Sequence, residues 1–206
     1  MKKALISIFI AALLCCMIAY PVLAGSGDSA VDDALPPGIE VQVVTGEETG
    51  ADALSVNAIA TNIYNRVNIA RANNGLAPLT RTTYLNNLAK GRANHMAATQ
   101  NVHHDYPPYG TTPWPAFVHG ENVANMLSGD NVGFPDCTGG TQHYVYHDVP
   151  DTAAGIGWGT MHMFLAHDSC SANGHRKNIL KPWFTKIGVG VALGGDGLYY
   201  TSQHFI

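Results

Sequence analysis

Two short polar stretches hold the side chains best suited to chemistry. Gly174-His175-Arg176-Lys177-Asn178-Ile179-Leu180 leads into the apolar alternation Ile187-Gly188-Val189-Gly190-Val191-Ala192, and well upstream stands His119-Gly120-Glu121-Asn122-Val123-Ala124. Each sets an ionisable side chain beside a glycine at the edge of an apolar element, so the two read as halves of one polar site. A carboxylate and an imidazole can hold a divalent cation, move a proton to or from water, or hydrogen-bond across buried loops. The sequence has no His-Glu-x-x-His helix motif, and no Gly-x-Ser-x-Gly elbow supports a serine nucleophile.

The elements that must position these groups follow from periodicity. Ile59, Ile63, Val67 and Ala70 recur at helical spacing, and Asn73-Asn74-Gly75 stops that helix ahead of Pro78. A second helical face carries Leu85, Leu88, Ala89, Ala93 and Met96, its alanines permitting close approach to a neighbour. Pro107, Pro108, Gly110, Pro113 and Pro115 between residues 101 and 122 exclude a regular helix and predict an ordered loop among Tyr106, Tyr109, Trp114 and Phe117. Residues 126–151 also read as loop. A third helix is predicted over 152–167, weakened by Gly155, Gly157 and Gly159 at roughly a kcal/mol each, so that only 160–166 carries a strong helical signal. Ile187, Val189 and Val191 alternate with small residues, and Gly194-Gly195-Asp196-Gly197 turns the chain into a last strand, a hairpin signal. The small residues leave one strand face bare, open to a helix or ligand. Loops rather than regular elements are expected to hold Glu121 and His175.

Lys2 and Lys3 precede an apolar run that ends near Pro21, and Val22-Leu23-Ala24 offers small residues where a signal peptidase reads, so residues 1–24 are expected to be a cleaved leader. The run is short against the ~20 residues a membrane span needs, and Leu14 before Cys15 does not suit a lipid anchor, so no stable membrane anchor is expected after cleavage. Residues 25–52, rich in Gly, Ser, Asp, Glu and Pro, read as a flexible linker. Loss of Lys2 and Lys3, the leader's only charges, takes the net charge from −4 to −6. A mildly acidic domain lacks the basic field that nucleic acid requires. Cleavage also removes Cys15 and Cys16, leaving Cys137 and Cys170, which in an oxidising compartment are expected to bridge; two free thiols or a cysteine metal ligand are the competing readings.

The ordered motifs over residues 53–206 resemble the CAP superfamily, which groups cysteine-rich secretory proteins, venom antigens and pathogenesis-related proteins, and in particular its microbial SCP-like extracellular branch. The resemblance rests on the Asn-x-x-Arg character of the first helix, Gly75-Leu76-Ala77-Pro78-Leu79, the helix ending at Met96 with histidine after it, Gly120-Glu121-Asn122, Gly174-His175-Arg176-x-Asn178-Ile179-Leu180, Ile187-Gly188-Val189-Gly190-Val191-Ala192 and the closing tyrosine-rich strand. It implies an α+β fold, a three-layer α-β-α sandwich.

The resemblance also implies a cavity lined by two histidines and two acids, with the histidines able to hold a divalent cation, zinc or another late first-row metal. The first histidine falls on His104, with His103 as the alternative; the first acid on Glu121; the second histidine on His175. The second acid of the eukaryotic members has no glutamate equivalent here, where residues 164–169 offer His167 or Asp168. Two neutral imidazoles leave open positions for water on such an ion, and Glu121 could then serve as general base. The expected function is extracellular binding of an unidentified ligand by a secreted protein, with a metal-dependent, peptidase-like hydrolase and a lipid-binding module as alternatives. His95, His143, His147 and His204 carry no spacing signal and read as scattered surface and core histidines.

Overall fold

The computed structural model describes residues 55–104 and 118–206. The expected leader (1–24), the linker (25–52) and the aromatic loop with Tyr106, Tyr109, Trp114 and Phe117 lie outside the described residues. Helix α1 (Val56–Asn73) is followed by the short strand β1 (Thr80–Arg81), helix α2 (Thr83–Thr99), strands β2 (Gly120–Met126), β3 (Gly129–Asp136) and β4 (His143–Val149), helix α3 (Ala153–Ala166), the short helix α4 (Gly174–Ile179) and strands β5 (Lys186–Leu193) and β6 (Tyr199–Phe205). No helix of the described residues is long and apolar enough to cross a membrane.

The bare face of β5 sets the spacing of the layers. A Cβ on Gly188 would stand 2.1 Å from the backbone carbon of Leu85, and one on Gly190 would stand 2.2 Å from Ala89 and Lys90 backbone atoms. Helix α2 therefore lies directly on the strand backbone, the occupant for which the alternating small residues leave room. The main sheet has the order β1-β5-β6-β2, with β1 parallel to β5 and the other pairs antiparallel. On its opposite face Ile187, Val189 and Val191 join Ile59, Ile63 and Val67 of α1 and Ile156, Met161 and Phe164 of α3 in one core. On the α2 face Val123, Ala192 and Tyr200 pack with Ala93, Met96 and Ala97. Helix, sheet and helices thus form three layers, the α-β-α sandwich of an α+β fold, and each fully buried branched or aromatic side chain contributes roughly 1.5–3 kcal/mol to it.

One element departs from expectation, and the helix predicted over 152–167 forms over nearly its whole length. Residues 126–151, read as loop, contain the antiparallel hairpin β3-β4, a separate two-stranded sheet in which Val132 faces His147 and Phe134 faces Val145. Its inner face is apolar: Phe134 and Val149 are buried in the main core. Helix α3 also runs through all three of its glycines. Close packing accounts for this, since a Cβ on Gly157 would meet Asn62 of α1 at 2.8 Å and one on Gly155 would meet the Pro150 carbonyl oxygen at 2.2 Å. The local cost of glycine in the helix is offset by the tertiary approach it permits.

The pair Cys137–Cys170 is bridged, with α-carbons 4.9 Å apart, joining the end of β3 to the turn after α3. The bridged state leaves neither sulfur as a thiolate ligand.

The β5-α2 contact is open to a direct check. Gly188→Ala and Gly190→Ala are each expected to cost about 3 kcal/mol of unfolding free energy, the upper end of overpacking penalties, because the obstructing atoms are helix backbone that cannot rotate away. Urea unfolding midpoints equal to the unaltered chain in both variants would refute it.

Candidate functional site

Glu121 lies on strand β2, not on a loop, and its side chain is 2% exposed. Period-two alternation turns it toward α2, the face that its pair partner His204 also occupies. There Arg92 of α2, fully buried, places Nε 3.1 Å from Oε1, His204 Nε2 lies 3.0 Å from the same oxygen, and His104 Nδ1 lies 2.9 Å from Oε2. Burial alone would raise the Glu121 pKa; hydrogen bonds from His104 and His204 and the Arg92 charge together outweigh it and hold the pKa down at about 2. Arg92 also donates to the His103 carbonyl at 2.6 Å, anchoring the chain as it leaves α2. His104 is the more exposed partner, with 59% of its side chain accessible. Together with Val118, His119, Gly120 and Glu121 it lines a cavity of about 290 Å³.

The next residue, Asn122, points through the other face and joins the two motifs. Its Nδ2 donates to the His175 carbonyl at 3.2 Å and to Gln203 Oε1 at 2.9 Å, while Asn178 Nδ2 donates to Asn122 Oδ1 at 2.9 Å and to the Glu121 carbonyl at 3.2 Å. Gly120 makes this approach possible, since a Cβ there would press on Asn178 and Phe184 at 3.1 Å. Gly174 differs: it has open space around it and an ordinary φ, the left-handed residue being Asn173 at φ 59°.

His175 opens helix α4 rather than a loop. Its Nδ1 lies 2.6 Å from Asp168 Oδ1, and its ring stacks on Phe164 at 4.5 Å between centroids. Asp168 is buried and also accepts from the Arg176 backbone N–H at 2.9 Å. Arg176 itself donates to the Leu165 carbonyl, so Arg176 and Asn178 organise this turn through backbone carbonyls. The acid beside His175 is therefore Asp168, while His167 turns the other way. Neither His175 nor Asp168 is among the residues lining the His104–Glu121 cavity. The structure thus holds two carboxylate-imidazole pairs, Glu121 with His104 and Asp168 with His175, linked through Asn122 and Asn178. The ring of His103 packs edge-on against His95 at 5.5 Å.

His167 meets His147 of β4 and His162 of α3, with Nε2–Nε2 separations of 3.3, 3.3 and 3.2 Å around the triangle. Among the described residues this is the one group of three His, Cys, Asp or Glu side chains whose ligand atoms converge enough for a single ion; His104, Glu121 and His175 do not form a second. Burial and the neighbouring His167 and His147 lower the His162 pKa to about 4, and burial and His147 lower that of His167 against the opposing Asp136 charge. Sequence reading passed over His204 and His147 as scattered histidines and gave no role to Arg92 or His162. The alternation of Tyr144, Val145, Tyr146, His147 and Val149 was the available signal for β4, and hence for His147 facing a neighbour.

Removing the Glu121 charge should expose how much it holds together. Glu121→Gln is expected to cost about 3–5 kcal/mol at neutral pH, since the buried Arg92 guanidinium then faces a neutral amide where the carboxylate stood. The folded pKa lies below the ordinary 4.5, so the stabilisation is complete above that value and is lost as pH falls toward about 2. Urea unfolding across that window should show the unaltered chain converging on Glu121→Gln as pH falls; a constant gap would contradict the assignment.

The sequence model of the cysteine-rich secretory protein family, CAP, matches residues 64–205. Among solved structures, the chain is similar to an extracellular SCP-domain protein of Bacillus anthracis (18% identity, TM-score 0.44, covering 72% of this chain and 40% of that one). It is also similar to an outer surface protein of Borrelia burgdorferi (14% identity, TM-score 0.47, covering 73% and 93%) and to a cysteine-rich secretory protein of Staphylococcus aureus (17% identity, TM-score 0.42, covering 73% and 39%). The chain thus spans about two fifths of the length of the Bacillus and Staphylococcus proteins. No curated protein matches it. With its family motifs joined at Asn122 and Asn178 and the family model matching well over half its length, this chain belongs to the CAP family.

Proposed function

We propose that this CAP-family chain is a secreted protein that works by binding, and that the imidazoles of His104 and His175, each oriented by its own carboxylate, offer their Nε2 atoms to divalent cations. The observation that carries this reading is the role of the two carboxylates. Glu121 and Asp168 each engage the Nδ1 of a histidine, at 2.9 and 2.6 Å. A carboxylate at Nδ1 favours the proton there and leaves the lone pair on Nε2, the outer-shell arrangement that prepares a histidine as a metal ligand. Bound there, a cation would supply Lewis acidity and a docking charge for an extracellular ligand.

The same geometry weighs against the hydrolase reading. A general base must take up a proton near the working pH. Glu121, with both oxygens engaged and its pKa held at about 2, is an orienting and charge-balancing group instead. Export is supported by the expected leader and by the Cys137–Cys170 bridge, a bond that persists in oxidising compartments.

Two measurements test the reading. Intact mass of chain recovered outside the producing cell is expected to begin at Gly25; material beginning at Met1 would reject cleavage. In proton NMR, zinc is expected to shift the ring signals of His104 and His175, assigned by their loss in His104→Ala and His175→Ala. Both signals unmoved up to millimolar zinc would overturn the cation assignment.

A further inference from the structure

The cluster of His147, His162 and His167 cannot be satisfied by hydrogen bonds among its own members. An imidazole nitrogen carries in its ring plane either a proton or a lone pair. Of three nitrogens in mutual contact at 3.2–3.3 Å, at least two are of the same kind, so at least one contact sets proton against proton or lone pair against lone pair. A cation removes the conflict. An ion bound tetrahedrally at ~2.0–2.1 Å from each nitrogen places its ligands about 3.3–3.4 Å apart, the size of the observed triangle. We propose that the Nε2 atoms of His147, His162 and His167 form one face of a tetrahedral site for a late first-row divalent cation, zinc foremost, with the fourth position left to water or an outside ligand.

The surroundings suit such a site. His167 Nδ1 faces Asp136 Oδ2 at 3.8 Å. Asp136 is itself fixed by Thr138 and by Ser169 Oγ, which donates at 2.7 Å. A carboxylate on that side favours the proton on Nδ1 and the lone pair on Nε2. Phe134 stands against all three rings, with centroids 5.2, 5.6 and 5.5 Å away, and Trp158 stacks on His162 at 4.7 Å, so apolar walls hold the imidazoles in place. Three imidazole donors suit zinc, copper or nickel, whereas calcium and magnesium require oxygen ligands. None of the three histidines lines the His104–Glu121 cavity, so the site is separate from it. Its ligands come from β4 and from α3 and its cap, so the ion would cross-link the hairpin to the helix beside the disulfide.

Cobalt(II) provides the test, because four-coordinate cobalt absorbs strongly in the visible and six-coordinate cobalt only weakly. The oxidised, metal-stripped chain is expected to bind one equivalent with the intense four-coordinate spectrum, and zinc is expected to displace it and raise Tm. His147→Gln and His162→Gln, checked for folding by far-ultraviolet circular dichroism, should each weaken binding by more than about 100-fold, beyond the roughly 10- to 100-fold of outer-shell changes. The double variant His104→Ala/His175→Ala should keep the band. An unaltered chain with neither band nor zinc-dependent rise in Tm overturns the proposal without recourse to any variant. So does a band that survives His147→Gln or disappears in His104→Ala/His175→Ala.

Discussion

A carboxylate with 2% of its side chain exposed has to be balanced where it stands, and Glu121 is balanced by three different segments. Arg92 reaches it from α2, His204 from β6 and His104 from the chain beyond α2. Because both charges of the Arg92–Glu121 pair are buried, a slip of α2 along the sheet would part them at a cost that solvent does not relieve. The glycines of β5 bring the α2 backbone to within contact of the sheet, and that proximity lets a guanidinium on the helix meet a carboxylate on the far edge strand. Packing gives the distance and the ion pair gives the register.

Alternation along β2 then divides the labour of the Gly-Glu-Asn motif. Glu121 serves the α2 face and Asn122 the α3-α4 face, so two neighbouring residues hold the two sides of one edge strand. The Asn122 side chain meets Asn178 and the His175 carbonyl, which fixes the first turn of a helix too short to hold itself. On the same side Arg71, fully buried in α1, donates to the carbonyls of Ala77, Ile179, Lys181 and Phe184. The turn carrying His175 is thus held from β2 and from α1 before any ligand is considered.

Much of this was legible in the residues. The 3.6-residue spacing of Ile59, Ile63, Val67 and Ala70, the two-residue spacing of Ile187, Val189 and Val191, and the bare strand face all describe elements whose pattern is their packing. Two things were not. The β3 sequence, with Gly129, Gly133 and Pro135, lacks strand propensity, and its pairing comes from Phe134 reaching the core and from the Cys137 bridge, both long-range effects. His162 and His167 are five apart, a spacing that does not share a helix face. They meet because His167 is the cap of α3, at φ −115° and ψ 37°, where the helical repeat has ended. With β4 read as loop, His147 had no visible partner.

The hairpin depends on more than its own strand pairing. A two-stranded sheet is marginal by itself, and β3-β4 hydrogen-bonds to no strand of the main sheet. What fixes it is the inner face of Phe134 and Val149 together with the bridge from Cys137 to Cys170. Around the bridge the Cys137 N–H donates to Ser169 Oγ, and Ser169 Oγ donates to Asp136, the carboxylate facing His167. Reduction would free the cysteines and loosen this chain of contacts between the end of β3 and the cap of α3. The bridge thus stands among the contacts that bring the hairpin, and with it His147, against His162 and His167.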